Sequence, residues 1–202
     1  KDEIYVKVTI TTPSGVDKVV NAFYFEDFNL NHSSFSHHPE WQYLDKEYVT
    51  SLNTNKWVLR YSPTEVGVHS YSVQVVIPQD NASVTIMNGI FESVVGDPYD
   101  GFVDLVNKEY FTYPNGKGFT PIGVNIANYP SWDNNAPKSN FYELYFKRLS
   151  ENGCNFARVW IDFVGGLHML GKRGTQVYYD RYALAAAYIL DKIIEHAEFY
   201  NI

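Results

Sequence analysis

The chain has 202 residues and a single cysteine, Cys154, so an intrachain disulfide is excluded and stability has to come from a packed core. Basic residues are also few: 16 Lys and Arg stand against 23 Asp and Glu, giving a net charge of −7 and a pI near 5.3. No run of Lys or Arg occurs, which argues against a nucleic-acid partner, because affinity for a phosphate backbone draws on clustered cations. Long hydrophobic runs are lacking too. The longest, around residues 183–190, falls well short of the roughly 20 residues that cross a bilayer as a helix, so no membrane partner is expected. Apolar material itself is ample: 45% of residues are hydrophobic and 17% aromatic, which excludes disorder and collagen-like repeats.

The two halves read differently. From Ile4 to about Val95 the dominant period is two. Ile4, Val6, Val8 and Ile10 alternate with Tyr5, Lys7, Thr9 and Thr11, which places one face of a strand in a core and the other in water. Further runs rich in β-branched and aromatic residues follow at 19–25, 56–61, 69–77, 82–87 and 89–95. Turn-forming clusters such as Pro13-Ser14-Gly15, and the stretches 63–67 and 78–81, bound them. About seven short strands without a helical stretch predict an immunoglobulin-like β-sandwich over residues 1–97.

The stretch Gly96-Asp97-Pro98-Tyr99-Asp100-Gly101 reads as a boundary. Residues 98–118 form a connecting segment with a β-hairpin, whose turn is predicted at Tyr113-Pro114-Asn115-Gly116 because Asn-Gly favours a tight reversal. A short apolar strand over 121–127 follows. Phe141, Leu144, Tyr145, Arg148 and Leu149 then give a helical stripe that stops at Asn152-Gly153. A strand is predicted over 154–163 and a second helix over about 182–200. Strand, helix, strand, helix calls for a parallel sheet covered by helices. The residues from 119 onward are far fewer than the ~250 of a closed (β/α)8 barrel, so the expectation is the N-terminal part of something longer, or a piece that associates with the remainder.

Several stretches in order resemble a known arrangement. Trp57-Val58-Leu59-Arg60-Tyr61-Ser62-Pro63-Thr64-Glu65-Val66-Gly67, with Tyr71 and Val73, is similar to the Ig-like domain that precedes some bacterial glycoside hydrolases. Gly101-Phe102-Val103, Tyr110-Phe111 and Pro121-Ile122-Gly123-Val124-Asn125 resemble the entry into their barrel. Glu151-Asn152-Gly153-Cys154-Asn155-Phe156-Ala157-Arg158-Val159-Trp160 resembles the first helix end and second strand, and Leu190-Asp191-Lys192-Ile193-Ile194-Glu195-His196-Ala197 the second helix. The family is the cellulase-like group of clan A glycoside hydrolases. The resemblance implies an all-β Ig-like sandwich followed by the first two β/α units of an incomplete (β/α)8 TIM barrel, occupying residues 119–202. It also implies a retaining hydrolase of β-linked polysaccharide that needs no cofactor and no metal, and is secreted, extracellular or periplasmic.

In such barrels chemistry sits at the C-terminal ends of the strands, which directs attention to Asn125, Arg158, Trp160 and Asp162. Arg158 is implied to hydrogen-bond the nucleophilic carboxylate. Retaining cleavage needs two carboxyl groups about 5 to 5.5 Å apart. In the family both are glutamates on later strands, so no catalytic acid/base or nucleophile is expected in this chain, which alone is expected to be inactive. Asp133 and Asp162 are the only strand-end carboxylates, and turn or hydrogen-bonding roles suit them better. Aromatic planes pack against sugar C–H faces, so Tyr129, Trp132, Trp160 and His168 join Asn125 and Asp162 as candidate substrate contacts. Two alternatives stand beside this reading: a carbohydrate- or protein-binding module built on the sandwich, and a subunit that completes its barrel with a second chain.

The remaining motifs carry less. The glycine-rich stretch 165–171 lacks the Gly-Lys-Ser/Thr ending of a phosphate-binding loop. His32, His37 and His38 near Glu40 and Trp41 match no ligand spacing and read as a solvated loop. Asn31-His32-Ser33 and Asn81-Ala82-Ser83 are formal glycosylation acceptors. Cys154 is expected to be a small buried hydrophobe.

Overall fold

The computed structural model describes residues 4–33, 46–96, 101–106, 109–126, 139–161, 167, 169–173 and 176–202. Contacts divide the chain into two compact units, Lys1–Phe25 with Asn55–Gly101 and Glu26–Thr54 with Phe102–Ile202. No helix among the described residues is long and apolar enough to cross a membrane.

The chain opens with β1 (Tyr5–Thr11), β2 (Asp17–Asn21), β3 (Phe23–Ser33), β4 (Lys46–Val58), β5 (Gly67–Ile77) and β6 (Ala82–Ser93). In the first unit four of these make an antiparallel sheet in the order β2-β1-β5-β6. The alternation read in β1 decides its place: Val6, Val8 and Ile10 are buried while Tyr5 is exposed. Each such side chain removed from water contributes about 1.5–3 kcal/mol. His69 on β5 lies opposite Phe91 on β6, and the two rings stack at 4.8 Å with 10° between their planes. Tyr71 lies opposite Gly89, and a β-carbon there would sit 2.5 Å from the Tyr71 hydroxyl, so with glycine at this position the ring lies across the strand without having to shift. The first turn is held from a distance, since the Glu65 carboxylate accepts hydrogen bonds from the Ser14 N–H and hydroxyl, both at 2.9 Å.

β3 and β4 form their own two-stranded sheet, and both lie partly in each unit by sequence. Within the second unit the pairs Asp27 with Thr54 and Asn31 with Thr50 show them running in opposite directions. The chain then continues through β7 (Asp104–Val106), β8 (Tyr110–Thr112), β9 (Gly118–Phe119), β10 (Gly123–Ile126), α1 (Ser139–Glu151), β11 (Phe156–Val159), β12 (Leu170–Arg173), β13 (Gln176–Tyr182) and α2 (Leu184–Tyr200). β7, β8 and β9 form an antiparallel meander whose second turn falls at Asn115-Gly116. Gly116 has φ +84°, the left-handed conformation that this reversal requires. α1 ends where Gly153, at φ +75°, donates its N–H to the Ser150 carbonyl.

The core of this unit lies between the two helices. Phe141, Tyr142 and Phe146 of α1 meet Ile189 and Ile193 of α2, together with Ile126 and Leu167. Leu30 and Val49, from β3 and β4, pack against the same cluster.

The architecture corrects the expected fold class. An Ig-like sandwich followed by the first two β/α units of a TIM barrel is not what forms. The chain is mostly strands in five small sheets, with two helices among the described residues. Among the described residues parallel pairing is confined to β10 and β11. Two features of the sequence explain the difference. Leu170–Arg173, which begins within the stretch read as a glycine-rich loop, and Gln176–Tyr182, which was assigned no strand, pair antiparallel as β12 and β13 directly before α2. Residues 26–54, from within β3 to within β4, group with the second unit, whereas residues 1–25 and 55–101 form the first.

Candidate functional site

In the second unit, polar and aromatic groups gather at the C-terminal ends of the parallel pair. β10 and β11 run in register from Gly123 opposite Phe156 to Ile126 opposite Val159, so Asn125 stands directly opposite Arg158. Asn155 fixes that register. Its carboxamide oxygen accepts the Ile122 N–H at 2.8 Å, its Nδ2 donates to the Thr120 carbonyl at 3.1 Å, and its backbone N–H donates to the Ile122 carbonyl at 2.9 Å. Gly123 has no room for a side chain, because a β-carbon would lie 1.6 Å from the Phe156 carbonyl oxygen. Ile126, buried against the helices, anchors the pair from the opposite face.

On this frame the Trp160 Nε1–H donates to the Asn125 Oδ1 at 2.7 Å, which sets the orientation of the indole. The Arg158 guanidinium carbon lies 5.5 Å from the Trp160 ring centroid, within cation–π reach, and its side chain is exposed. The result is a half-buried aromatic plane with a carboxamide at its edge and a guanidinium over one face. Such a group can pack on an apolar face and direct hydrogen bonds to hydroxyls beside it.

Of the residues singled out in the sequence, Asn125, Arg158 and Trp160 are thus brought together. Tyr129, Trp132, Asp133, Asp162 and His168 lie outside the described residues, as do His37, His38, Glu40 and Trp41. Comparison of the chain with family models, curated proteins and solved structures gives no match. Cys154 is half-buried and free. Among the described residues no group of three His, Cys, Asp or Glu could hold a metal ion.

One carboxylate went unread in the sequence. Glu47 of β4 is buried at 1% exposure and accepts the Ser139 hydroxyl at 2.8 Å and the Asn140 N–H at 3.3 Å. It stands where helix α1 begins, and the first turn of α1 has no acidic residue of its own. The missing acid at that helix start was the only local signal, and its partner lies 92 positions upstream. The remaining carboxylates have modest roles. Glu195 accepts from Lys192 at 2.6 Å and raises the lysine pKa, and Glu143 accepts from the Tyr200 hydroxyl at 3.5 Å. Desolvation first, then Glu143, pushes the Tyr200 phenol above its ordinary value.

The first unit holds a second concave feature. A cavity of about 750 Å³ is lined by residues including Val6, Val8, Trp57, Tyr61, Tyr71 and Phe91. Among the described residues no charged side chain lines it. Trp57 is partly exposed there and meets Tyr24 edge to face at 6.1 Å.

Proposed function

We propose that this chain is the substrate-contacting, non-catalytic N-terminal portion of a retaining glycoside hydrolase acting on a β-linked polysaccharide. On this reading the chain binds glycan and does not cleave it alone. The observation that carries it is the Trp160 indole held by Asn125 with Arg158 beside it. A sugar ring offers one apolar C–H face and a rim of hydroxyls, and this group offers an aromatic plane and a rim of donors. Asn125 accepts from the indole with Oδ1, which leaves its Nδ2 to donate to a hydroxyl, and Arg158 adds guanidinium donors. The ordered resemblance to the cellulase-like hydrolases points to the same substrate class.

Neither member of the acid and nucleophile pair is assigned to this chain. Glu47, the buried carboxylate, is already engaged by the start of α1. Hydrolysis of β-linked polysaccharides by the chain alone is therefore expected to be zero, while binding is expected to fall at least tenfold in Trp160→Ala. Measurable hydrolysis by the chain alone, or binding unchanged in Trp160→Ala, contradicts the reading.

The cavity of the first unit supports a second reading, a carbohydrate-binding module that uses Trp57, Tyr61 and Tyr71 as its aromatic walls. The same titration separates the two. Loss of binding in Trp57→Ala with Trp160→Ala unaffected selects the module.

A further inference from the structure

Two Asn-X-Ser sequences occur, and the structure treats their asparagines in opposite ways. Asn31 is half-buried within β3, and its Nδ2 donates to the Asn29 carbonyl at 3.2 Å and to the Thr50 hydroxyl of β4 at 3.1 Å. Asn81 is exposed at the turn between β5 and β6, directly after the short 3-10 turn Pro78–Asp80. It adopts the left-handed conformation, with φ 49° and ψ 34°. Its backbone N–H closes the turn on the Pro78 carbonyl at 3.2 Å, and its carboxamide makes no hydrogen bond among the described residues. Gln79 and Asp80 beside it are exposed, and so is Ser83, two positions on.

We propose that Asn81, and not Asn31, is an N-glycosylation acceptor when this chain passes through a compartment that holds an oligosaccharyl transferase. The donor class is an oligosaccharide linked through diphosphate to a polyprenyl lipid. The Asn81 Nδ2 forms a bond to the anomeric carbon, and the bond from that carbon to the diphosphate oxygen breaks. Polyprenyl diphosphate leaves with the electron pair, and one Nδ2 proton passes to a base of the transferase. The acceptor pattern requires the hydroxyl that Ser83 supplies. A glycan on Asn81 projects from an exposed turn and leaves every described hydrogen bond intact. A glycan on Asn31 would have to displace the bonds that join β3 to β4.

The test is expression of the full chain behind a secretory leader in a eukaryotic cell, with intact mass read on total chain, intracellular and secreted, before and after peptide-N-glycosidase. One glycan is expected, with Asn81 appearing as aspartate in the peptide map after its removal. It is lost in Asn81→Gln and in Ser83→Ala, and retained in Asn31→Gln. Ser83→Ala keeps the asparagine that closes the turn, so loss of the glycan there reports the acceptor and not a folding fault. An unmodified chain, or a glycan at Asn31, overturns the proposal.

Discussion

The helix core of the second unit and the strand ends it supports are built on opposite principles. Phe141, Tyr142, Phe146, Ile189 and Ile193 are nearly withdrawn from water and offer nothing to a ligand. Asn125, Arg158 and Trp160 contribute little burial and leave their polar groups available. The contrast teaches how a short parallel pair can carry a site at all. Two strands of four residues are marginal alone, and their order comes from Ile126, Ala157 and Val159 packing on the helices behind them. Stability and recognition should therefore separate under mutation.

The largest effect is expected in the core. Phe146→Ala should destabilise the fold by about 3–5 kcal/mol, through lost burial and the cavity left behind, as read from urea denaturation. Gly123→Ala should cost about 3 kcal/mol, the top of the overpacking range, because its β-carbon meets backbone and not a flexible side chain. Its signature would be loss of amide protection along β10 and β11 while α1 and α2 keep theirs. Glu47→Ala should cost about 1–3 kcal/mol by leaving the Ser139 hydroxyl and Asn140 N–H unsatisfied at the start of α1. The loss would appear first as fraying of that helix in hydrogen exchange.

The smallest effect belongs to the first unit and depends on pH. The Ser14 hydroxyl, with help from the Ser14 N–H, lowers the Glu65 pKa below its ordinary value. A depressed folded-state pKa means the contribution is present above the ordinary glutamate range and is lost as pH falls through the lowered value. Glu65→Gln should therefore lower stability slightly at neutral pH and flatten the acid limb of the profile, matching the parent chain once the pH is below the lowered value. A variant that is equally destabilised at every pH would show that the bond matters without the charge.

What the sequence made legible follows from the range of the forces involved. The burial of Val6, Val8 and Ile10, the turn at Gly116 and the end of α1 at Gly153 are local matters of period and backbone conformation, and each stands where the pattern predicts. The grouping of Asn125 with Arg158 and Trp160 was legible only as positions on two strands, and their hydrogen bond and ring contact required the register. Glu47 was illegible because its partners lie 92 and 93 positions away. The β12 and β13 hairpin was missed for a different reason. Gly165, Gly166 and Gly171 suggested a loop, and the β-branched and aromatic residues of Gln176–Tyr182 were assigned no strand. With that pair unread, the expected architecture held too few antiparallel strands, and the expected fold class failed.

The central claim is that the indole at the end of β11 meets a glycan. The most direct measurement is calorimetric titration of the chain with a panel of β-linked oligosaccharides, run in parallel on Trp160→Ala and Trp57→Ala. Saturable binding is expected, weakened at least tenfold in Trp160→Ala and unchanged in Trp57→Ala. Binding that survives the loss of Trp160, or no binding by the folded chain to any member of the panel, would contradict it.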